Sequence, residues 1–440
     1  MPIYQSTSFD LESAARADRL VHNEELGSLY TRIGNPTVGV FEQRIADLDG
    51  GVAGLAVASG MAAVSYSLLN LTNIGDHIVA VPYLYGGTVD AFKKILPRLG
   101  ITVDYAKDLT PQAIDAAITD QTRAVFIESI SNPLGLVADI EAIAAVAHKH
   151  GLPLVVDNTL ATPYLIRPID FGADIVVYSA TKAISGHGNI IAGVIVESGK
   201  FDYGNGKFPQ FSEERHWTLR DRNDKFRTYL EVFPQFPFTA RVRSTHLNYI
   251  GAALGPFDAY LALVGLETIS ERIEKQLSST RLIIEYLQQN QHVEWVSHSS
   301  LTSSANYEVA KRIAPRGAGS VFAFGFKGGQ EQIDKFLDST KLFTYLANLG
   351  DARSLIVNPP KVTHNELTAE ELGLANIPDN LIRLSIGLED PRDLIEDLDN
   401  AFKLAFKAQP DQSEAVDNTN SVQQKYRQDK SEQDQDEAAA

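Results

Sequence analysis

The most constraining feature of this sequence is a series of short apolar runs between residues 54 and 196, separated by longer segments of helical character. The runs are continuous rather than alternating, as in GLAVA, HIVAV, TVDYA, AVFIES, LPLVVD, DIVVYS and IIAGVIV. Continuous apolar runs are typical of strands buried on both faces, and the helices between them provide crossover connections. The sequence therefore predicts an α/β domain built on a mostly parallel sheet.

The length of 440 residues predicts more than one structural unit. Residues 1–50 lack clear periodicity until an amphipathic helix that ends at Gly50, and we interpret them as an arm that contacts a neighbouring subunit. Residues 51–264 hold the sheet, with a surface excursion rich in aromatics, Pro and Gly at 200–250. Residues 265–408 mix strands and helices, which predicts a smaller α+β domain. Residues 409–440 offer little apolar bulk, so we expect them to be disordered.

The composition argues against several classes of protein. A net charge of -17 disfavours a nucleic-acid partner, because phosphate backbones need a basic surface. The absence of cysteine excludes disulfides and thiolate metal sites, and no metal is expected. No apolar run reaches about 18 residues, so no membrane span is expected. The N-terminal MPIYQSTSF lacks the pattern of a signal peptide, which leads us to expect a cytoplasmic protein.

Small and polar residues follow the predicted strands at the points where the strands end. In a parallel α/β sheet, ligands bind beyond the carboxyl ends of the strands, so these residues should share one edge. In chain order they are Ser59, Gly60, Met61, Tyr85, Gly86, Gly87, Glu128, Asn132, Asp157, Ser179, Thr181 and Lys182. Five strand ends thus deliver two small-residue turns, an aromatic ring, acids, hydroxyls and an amine to one edge.

Each of these residues has an ordinary structural explanation when it is taken alone. Ser59 and Gly60 are also typical of a helix cap, and Asp157 of a turn. Tyr85 alone would most simply pack at the rim of the core, and Lys182 alone would most simply lie in solvent. An acid at a buried strand end needs a cationic partner, however, and no neighbouring arginine in sequence provides one for Asp157. It is improbable that a separate ordinary explanation holds for every one of these residues at the same edge of the sheet.

One cofactor, pyridoxal 5'-phosphate, needs all of these groups at once. It requires a lysine amine for attachment, an acid for the pyridine nitrogen, phosphate donors and a flat surface against its ring. Lys182 would supply the amine, Asp157 the acid and Tyr85 the ring. The predicted phosphate donors are Ser179, Thr181 and the backbone amides of Gly60 and Met61. A non-catalytic phosphate-binding α/β protein is the alternative from another class, but it leaves Lys182 and Asp157 unexplained.

The chain resembles the Cys/Met-metabolism family of pyridoxal-phosphate enzymes over nearly its whole length except the tail. The motifs that carry the resemblance are YTRIGNPT, ASGMAA, LYGGT, ISNPLG, VVDNTLATPYLIRP, SATK, THNELT and LIRLSIGLEDPRDLI. Within the family it looks most like the O-acetylhomoserine sulfhydrylases, from LANLGDARSLIVNP and the long excursion after the lysine. The resemblance implies fold type I of these enzymes, the aspartate-aminotransferase-like fold, with a large and a small domain.

The resemblance also implies roles for residues that the strand ends do not suggest. Tyr30 and Arg32 look like the pair that reaches the phosphate in the neighbouring subunit. Arg383 looks like the group that binds the substrate α-carboxylate, with Asn132 and Ser354 as its helpers. Family members are tetramers built from dimers, and each active site is shared across a dimer interface. A homotetramer is therefore expected.

The activity that the resemblance implies is γ-replacement on O-acetyl-L-homoserine by sulfide or a small thiol, with Lys182, Tyr85 and Asp157 as catalytic residues. Homocysteine or methionine and acetate are the products, which belongs to trans-sulfuration and methionine biosynthesis. Cystathionine γ-synthase, cystathionine γ-lyase and methionine γ-lyase are the alternatives, although Gly87 stands where methionine γ-lyases often have cysteine. The acyl group and the nucleophile stay open, since positions near the pocket depart from the family pattern: Ala183, Asn189, Ile190, Ile191 and Lys361.

Overall fold

The computed structural model describes residues 1–365 and 367–407. The C-terminal segment from residue 409, which the sequence predicts to be disordered, lies outside the described residues, as does Ala408. Within the described ranges, no helix combines the length and the apolar character that crossing a membrane requires.

The regular elements alternate along the first half of the chain as predicted. Helices α1 to α16 span, in chain order, Ala14–Val21, Pro36–Asp49, Gly60–Leu71, Gly86–Asp90, Pro111–Ala117, Ile140–Lys149, Thr162–Leu165, Pro209–Ser212, Tyr229–Val232, Pro237–Val242, Pro256–Leu266, Ile269–Gln289, Tyr307–Ile313, Gln330–Ser339, Ala369–Leu374 and Pro391–Phe406. Strands β1 to β14 span Ala53–Val57, His77–Ala80, Thr102–Tyr105, Thr122–Glu128, Leu154–Asp157, Ile175–Ser179, Gly193–Glu197, His216–Arg220, Phe226–Arg227, Val293–Ser297, Val321–Phe326, Thr344–Tyr345, Leu355–Val357 and Leu381–Ser385.

The larger sheet has seven strands in the order β1-β7-β6-β5-β4-β2-β3. Strands β6, β5, β4, β2 and β3 are mutually parallel, and β7 pairs antiparallel with β6 and β1. The central strands are buried on both faces, which is why their sequences are continuously apolar. The seven predicted runs all become strands of this sheet, and the predicted mostly parallel α/β architecture is confirmed.

The second half of the chain builds a smaller sheet with the order β10-β11-β14-β13-β12. It is antiparallel apart from the β12–β13 pair, and helices α12, α14 and α16 pack on it, as an α+β unit should. Helix α12 serves both cores, since Ile273 packs in the large one and Ile283 in the small one. No single residue therefore separates the two cores, and the boundary between residues 264 and 265 stays a prediction.

The N-terminal arm is more ordered than its sequence suggests. It contains the short helix α1, which we did not predict, and the predicted helix α2. Asn35 caps α2 by accepting hydrogen bonds from the N–H groups of Thr37 and Val38. Arg243 anchors the arm to the body, because its guanidinium donates to the Ile33 carbonyl and pairs with Glu42 at 2.7 Å.

The segment at 200–250 is not a simple surface excursion. Its aromatic residues largely enter the large core, where the buried ones are Tyr203, Phe208, Phe211, Tyr229 and Phe238. Their rings contact one another, as in the Tyr203–Phe211 pair with 4.6 Å between centroids. Aromatic side chains are common both in buried cores and at binding surfaces, so their presence in the sequence does not distinguish the two. In this segment most of them pack in the core.

The small core depends on a cluster of phenylalanines, and Phe402 on α16 lies at its centre. Phe402 is 1% exposed and contacts the rings of Phe326 and Phe336, at 5.6 and 4.5 Å between centroids. Phe402→Ala should therefore lower the free energy of unfolding by about 3–5 kcal/mol, measured by urea denaturation. Leu404 lies on the same helix but is 43% exposed, so Leu404→Ala is the matched control and should change stability by no more than about 0.5 kcal/mol. Equal losses in the two variants would contradict this packing.

Candidate active site

A cavity of about 390 Å³ lies at the carboxyl edge of the larger sheet. The ends of β4, β5 and β6 form one side, and residues of the smaller unit form the other. The predicted site residues that line it are Gly60, Met61, Tyr85, Asn132, Asp157, Ser179, Thr181, Lys182 and Arg383. The structure thus brings together groups that are more than 300 residues apart in sequence.

Lys182 lies in a tight turn that follows β6. Its backbone N–H donates to the Ser179 carbonyl at 3.1 Å, and its carbonyl accepts from Gly186 at 2.8 Å. Gly186 has a φ of +74°, and a Cβ atom there would lie 2.0 Å from a guanidinium nitrogen of Arg272. A glycine is therefore required at this position.

Arg272, which the sequence did not single out, braces this turn from α12. Its guanidinium donates to the carbonyls of Ala183, Ile184 and Gly265 at 2.9, 3.3 and 2.7 Å. The side chain is buried, so these neutral acceptors satisfy donors that would otherwise be costly to bury. The Lys182 turn is thereby fixed to the end of α11.

The Lys182 amine is held at the cavity wall by Asn348. Its Nζ donates to Asn348 Oδ1 at 2.6 Å. Burial, together with the nearby Arg383 charge, lowers the pKa of Lys182 to about 8, and the Asp351 charge opposes this shift. The lysine can therefore lose its proton near neutral pH, which is what an amine nucleophile or base needs. The sequence does not indicate this role for Asn348, because an asparagine in a loop is common and no motif surrounds it.

Two carboxyl groups, one buried and one half-buried, face the cavity from neighbouring strands. Asp157 and Glu128 are register partners on β5 and β4. Thr159 donates to Asp157 Oδ1 through its hydroxyl at 2.5 Å and its N–H at 3.0 Å. Burial raises the pKa of both carboxyl groups, and the Asp157 charge raises that of Glu128 further. An acid in this position favours a positively charged ligand group beside it.

An anion cradle lies at the N-terminus of α3. Ser59 caps this helix, with its hydroxyl accepting from the Ala62 N–H at 3.1 Å. The N–H groups of Gly60 and Met61 have no partner among residues 1–365 and 367–407. A Cβ atom at Gly60 would lie 2.5 Å from Cβ of Ser179, so glycine is needed for the close approach of α3 to β6. Free N–H groups at a helix start beside hydroxyls suit a phosphate.

Arg383 forms the opposite wall from β14. Its two terminal nitrogens donate to Asn132 Oδ1 at 3.0 Å and to the Asn348 carbonyl at 2.8 Å. The side chain is 3% exposed, and its Nε is a buried donor without a partner in the described part of the chain. Burial lowers the pKa of Arg383 to about 10, which Tyr85 opposes. A buried guanidinium bonded only to neutral oxygens is suited to an anionic ligand.

Tyr85 lines the cavity at the start of α4, with its side chain 44% exposed. Its ring lies against Gly87, where a Cβ atom would be 2.6 Å from the ring. Its backbone N–H donates to Glu128 Oε1 at 2.6 Å. The position of the ring is therefore set from two sides, by the glycine turn and by the Glu128 carboxyl group.

Three predicted site residues do not line this cavity. Tyr30 is 43% exposed, and Arg32 lies 5.1 Å from the centroid of its ring, in the arm. Ser354 is buried outside the cavity, where its hydroxyl donates to Glu389 at 2.8 Å and accepts from the Gly387 N–H at 2.9 Å. The neighbour of Arg383 on that side is Asn348 instead.

Of the five positions that we expect to depart from the family pattern, one lines the cavity. Ile191 lines it and is 66% exposed, while Ile190 is buried. Ala183 is buried against Gly350, and Asn189 accepts a hydrogen bond from Ser185 at 3.1 Å. Lys361 is exposed and does not line the cavity. Of this set, Ile191 is placed to touch a ligand.

The residues present fit pyridoxal 5'-phosphate. The desolvated Lys182 amine would attach the cofactor, and the cradle at Gly60 and Met61 with Ser179 would bind its phosphate. Asp157 would carry the counter-charge for the pyridine nitrogen. Arg383 lines the same cavity and bonds only neutral oxygens, so its guanidinium is suited to one more anionic group, on the substrate.

Comparisons with known proteins show the family to which the chain belongs. A profile of the Cys/Met metabolism PLP-dependent enzymes matches residues 1–403. O-acetyl-L-homoserine sulfhydrylase of Leptospira meyeri is 40% identical over 92% of both chains. Homocysteine synthase of Schizosaccharomyces pombe is 42% identical over 92% of this chain and 94% of its own.

A solved structure from Campylobacter jejuni, provisionally assigned as an O-acetylhomoserine (thiol)-lyase, superposes with a TM-score of 0.87. It is 36% identical over 92% of this chain and 95% of its own, and it contains N'-pyridoxyl-lysine-5'-monophosphate. The predicted family, fold type and cofactor are confirmed. The chain therefore belongs to the Cys/Met metabolism PLP-dependent enzymes and has their fold type I architecture.

Proposed function

We propose that this enzyme catalyses γ-replacement on O-acetyl-L-homoserine. The bond between Cγ and the ester oxygen breaks and acetate leaves, and the sulfur of sulfide or a small thiol then bonds to Cγ. Homocysteine is the product with sulfide, and methionine with methanethiol. The observation that carries the proposal is a desolvated lysine amine in one cavity with a buried guanidinium that lacks a carboxylate partner. The names of the relatives support the same substrate class.

The cofactor supplies an electron sink that takes up the electron pair left when a proton leaves the substrate Cα. In this proposal Lys182 attaches it, Asp157 keeps a proton on the pyridine nitrogen, and Tyr85 covers the ring. The phosphate is bound by Ser179, Thr181 and the backbone amides of Gly60 and Met61. The Thr181 hydroxyl oxygen accepts from the Ala192 N–H at 3.0 Å, which fixes it beside the cradle. Its O–H, which donates to the Ala192 carbonyl at 3.3 Å, would turn to the phosphate.

Lys182 is the group that moves protons. Once released from the cofactor, its amine removes the proton from Cα and assists removal of a proton from Cβ. The lowered pKa keeps part of the amine unprotonated at neutral pH, and the Asn348 amide holds Nζ at a fixed point of the cavity wall. Tyr85 is the second candidate for proton transfer, since its ring borders the same space.

Arg383 binds the substrate α-carboxylate, and Asn132 orients its guanidinium through the 3.0 Å hydrogen bond. Ser354 then supports Arg383 only indirectly. Its hydroxyl accepts a hydrogen bond from Gly387, in the chain after β14, and does not touch the ligand. The grip on the carboxylate fixes the Cα–H bond relative to Lys182, which is the geometric requirement for proton removal.

The charges that this chain places in the cavity favour the acetyl over the succinyl ester as the substrate. Lys182 and Arg383 are its only cations among the described residues. Both are already assigned, so no cation of this chain that lines the cavity is left to pair with the additional carboxylate of a succinyl group. Cystathionine γ-synthase, γ-lyase and methionine γ-lyase activities are the competing outcomes of the kinetic test below.

We also propose that the protein is a homotetramer of dimers in the cytoplasm, with each site completed by the arm of the neighbouring subunit. Exposed apolar side chains on the arm support this: Ile3, Tyr4, Val21, Leu26 and Tyr30. Arg32 would bind the phosphate in the neighbouring site, which explains why it does not line the cavity of its own chain.

The first prediction concerns the reaction. With O-acetyl-L-homoserine and sulfide or methanethiol, kcat/KM should exceed the value with O-succinyl-L-homoserine by at least about 10-fold, because the extra carboxylate would be unpaired. Steady-state kinetics with both esters against sulfide, methanethiol and cysteine is the measurement. Lys182→Ala should fold and lack turnover with every pair. A preference for cysteine, or for elimination without a nucleophile, would identify one of the sister reactions instead.

The second prediction concerns the shared site. Arg32→Ala should weaken cofactor retention, and Lys182→Ala should lack turnover, so each homomeric variant is impaired. Mixed subunits should recover part of the activity, because a hybrid dimer contains one site with both residues intact. The measurement is turnover of hybrids purified on two different affinity tags, with each tagged homomer as the control. Verified hybrids without recovery would mean that Arg32 acts within its own chain or not at all.

A further inference from the structure

Glu128 is a buried carboxyl group that the proposed reaction does not use. It ends β4, lies beside Asp157 in the register of the sheet and lines the cavity with 4% of its surface exposed. Its hydrogen bonds come from backbone N–H groups rather than from a cation: no salt bridge to it occurs among residues 1–365 and 367–407. Burying a carboxyl group without a cation is unfavourable, so the groups that bond to Glu128 indicate what it does in the site.

The two oxygens of Glu128 hold two different parts of the site. Oε1 accepts the Tyr85 N–H at 2.6 Å, at the start of α4. Oε2 accepts the Asn132 N–H at 3.2 Å, in the loop after β4. Tyr85 provides the exposed ring of the cavity, and the Asn132 side chain accepts from Arg383. One side chain thus joins the aromatic wall to the guanidinium.

We propose that Glu128 is a positioning residue that fixes the distance between the ring of Tyr85 and the Asn132–Arg383 pair. The cofactor, which lies against Tyr85, and the substrate carboxylate, which binds Arg383, are thereby held at a fixed distance from each other. This inference rests on the proposed function, because it takes Arg383 as the carboxylate-binding group. Within the described residues, no hydrogen bond joins Tyr85 to Asn132 directly. The Glu128 carboxyl group is therefore the link between them.

Glutamine tests this link with little change of volume. The amide oxygen can accept one of the two N–H groups, but the amide nitrogen cannot accept the other. Glu128→Gln should therefore release either Tyr85 or Asn132. A buried donor without its acceptor is unfavourable, and the released segment should shift to find another partner.

The same sheet contains a matched control in Glu197. This residue lies on β7, is 1% exposed and accepts the N–H groups of Phe238 and Thr239 at 3.1 and 2.8 Å. It does not line the cavity. Glu197→Gln thus removes the same kind of buried backbone anchor at a place where only the stability of the fold should respond.

The experiment compares wild type with Glu128→Gln, Glu197→Gln and Arg383→Lys. The Kd for L-homoserine, which keeps the α-carboxylate but lacks the acyl leaving group, is measured from the absorbance change of the holoenzyme. Cofactor affinity is measured by titrating cofactor-free protein, and melting temperature by calorimetry. Glu128→Gln should weaken homoserine binding about 10-fold, in the range of one hydrogen bond to a charged group, and should also weaken cofactor binding. Glu197→Gln should lower only the melting temperature.

The inference is overturned if Glu128→Gln lowers the melting temperature as Glu197→Gln does and leaves both affinities within about two-fold of wild type. Arg383→Lys separates this from failure of the proposed function. If Arg383→Lys weakens homoserine binding and Glu128→Gln does not, the carboxylate assignment stands and the role of Glu128 is wrong. If neither variant weakens it, the carboxylate assignment fails and the inference falls with it.

A second substitution covers the case in which Glu128→Gln does not fold. Glu128→Asp keeps both acceptor oxygens on a shorter side chain, which cannot reach both anchors at their present positions. The same two affinities should fall, and unchanged values would overturn the inference.

Discussion

The structure of this site depends on four ionisable side chains that are not paired with one another: Glu128 and Arg383 are buried, and Lys182 and Asp157 are half-buried. Lys182 and Arg383 are bonded to amide and carbonyl oxygens, and Asp157 to a threonine. Within the described residues, no salt bridge joins the basic pair to Asp157 or Glu128. Such charges are costly in a protein interior, and the shifted pKa values of the lysine and the acids express that cost. A ligand with both a cationic ring and anionic groups offsets it.

The two units of the fold divide this arrangement between them. The acids, the anion cradle and Lys182 come from strand ends of the larger sheet, whose parallel strands converge at one edge. Arg383 comes from the smaller sheet, and Asn348 contacts both cations from the loop before β13. Asn348 accepts a hydrogen bond from Lys182 through its side-chain oxygen and one from Arg383 through its backbone oxygen, so one residue links the amine to the guanidinium. Movement of one unit against the other would change the spacing between them.

Much of this could be predicted from the sequence because the relevant signals are local. Continuous apolar runs predict parallel strands, and Asp157, Ser179 and Lys182 directly follow such runs. Asn348 could not be found in this way, because its role depends on a contact with a lysine 166 positions away. Ser354 was chosen from the family pattern, yet a buried hydroxyl can bond elsewhere, as it does to Glu389. The prediction of a surface excursion at residues 200–250 was wrong for most of its aromatic residues, which are buried. An aromatic-rich composition does not distinguish a core from an exposed surface.

Lys182 is proposed to carry the cofactor in the cavity between the two units, and every other assignment at the site depends on this. Borohydride reduction of the purified holoenzyme fixes pyridoxyl phosphate to its lysine, and peptide mapping by mass spectrometry then identifies the position. We expect the modification on the peptide that contains Ser179, Thr181 and Lys182, and we expect Lys182→Ala to lack it. Stoichiometric modification of any other lysine in the wild-type protein would contradict it.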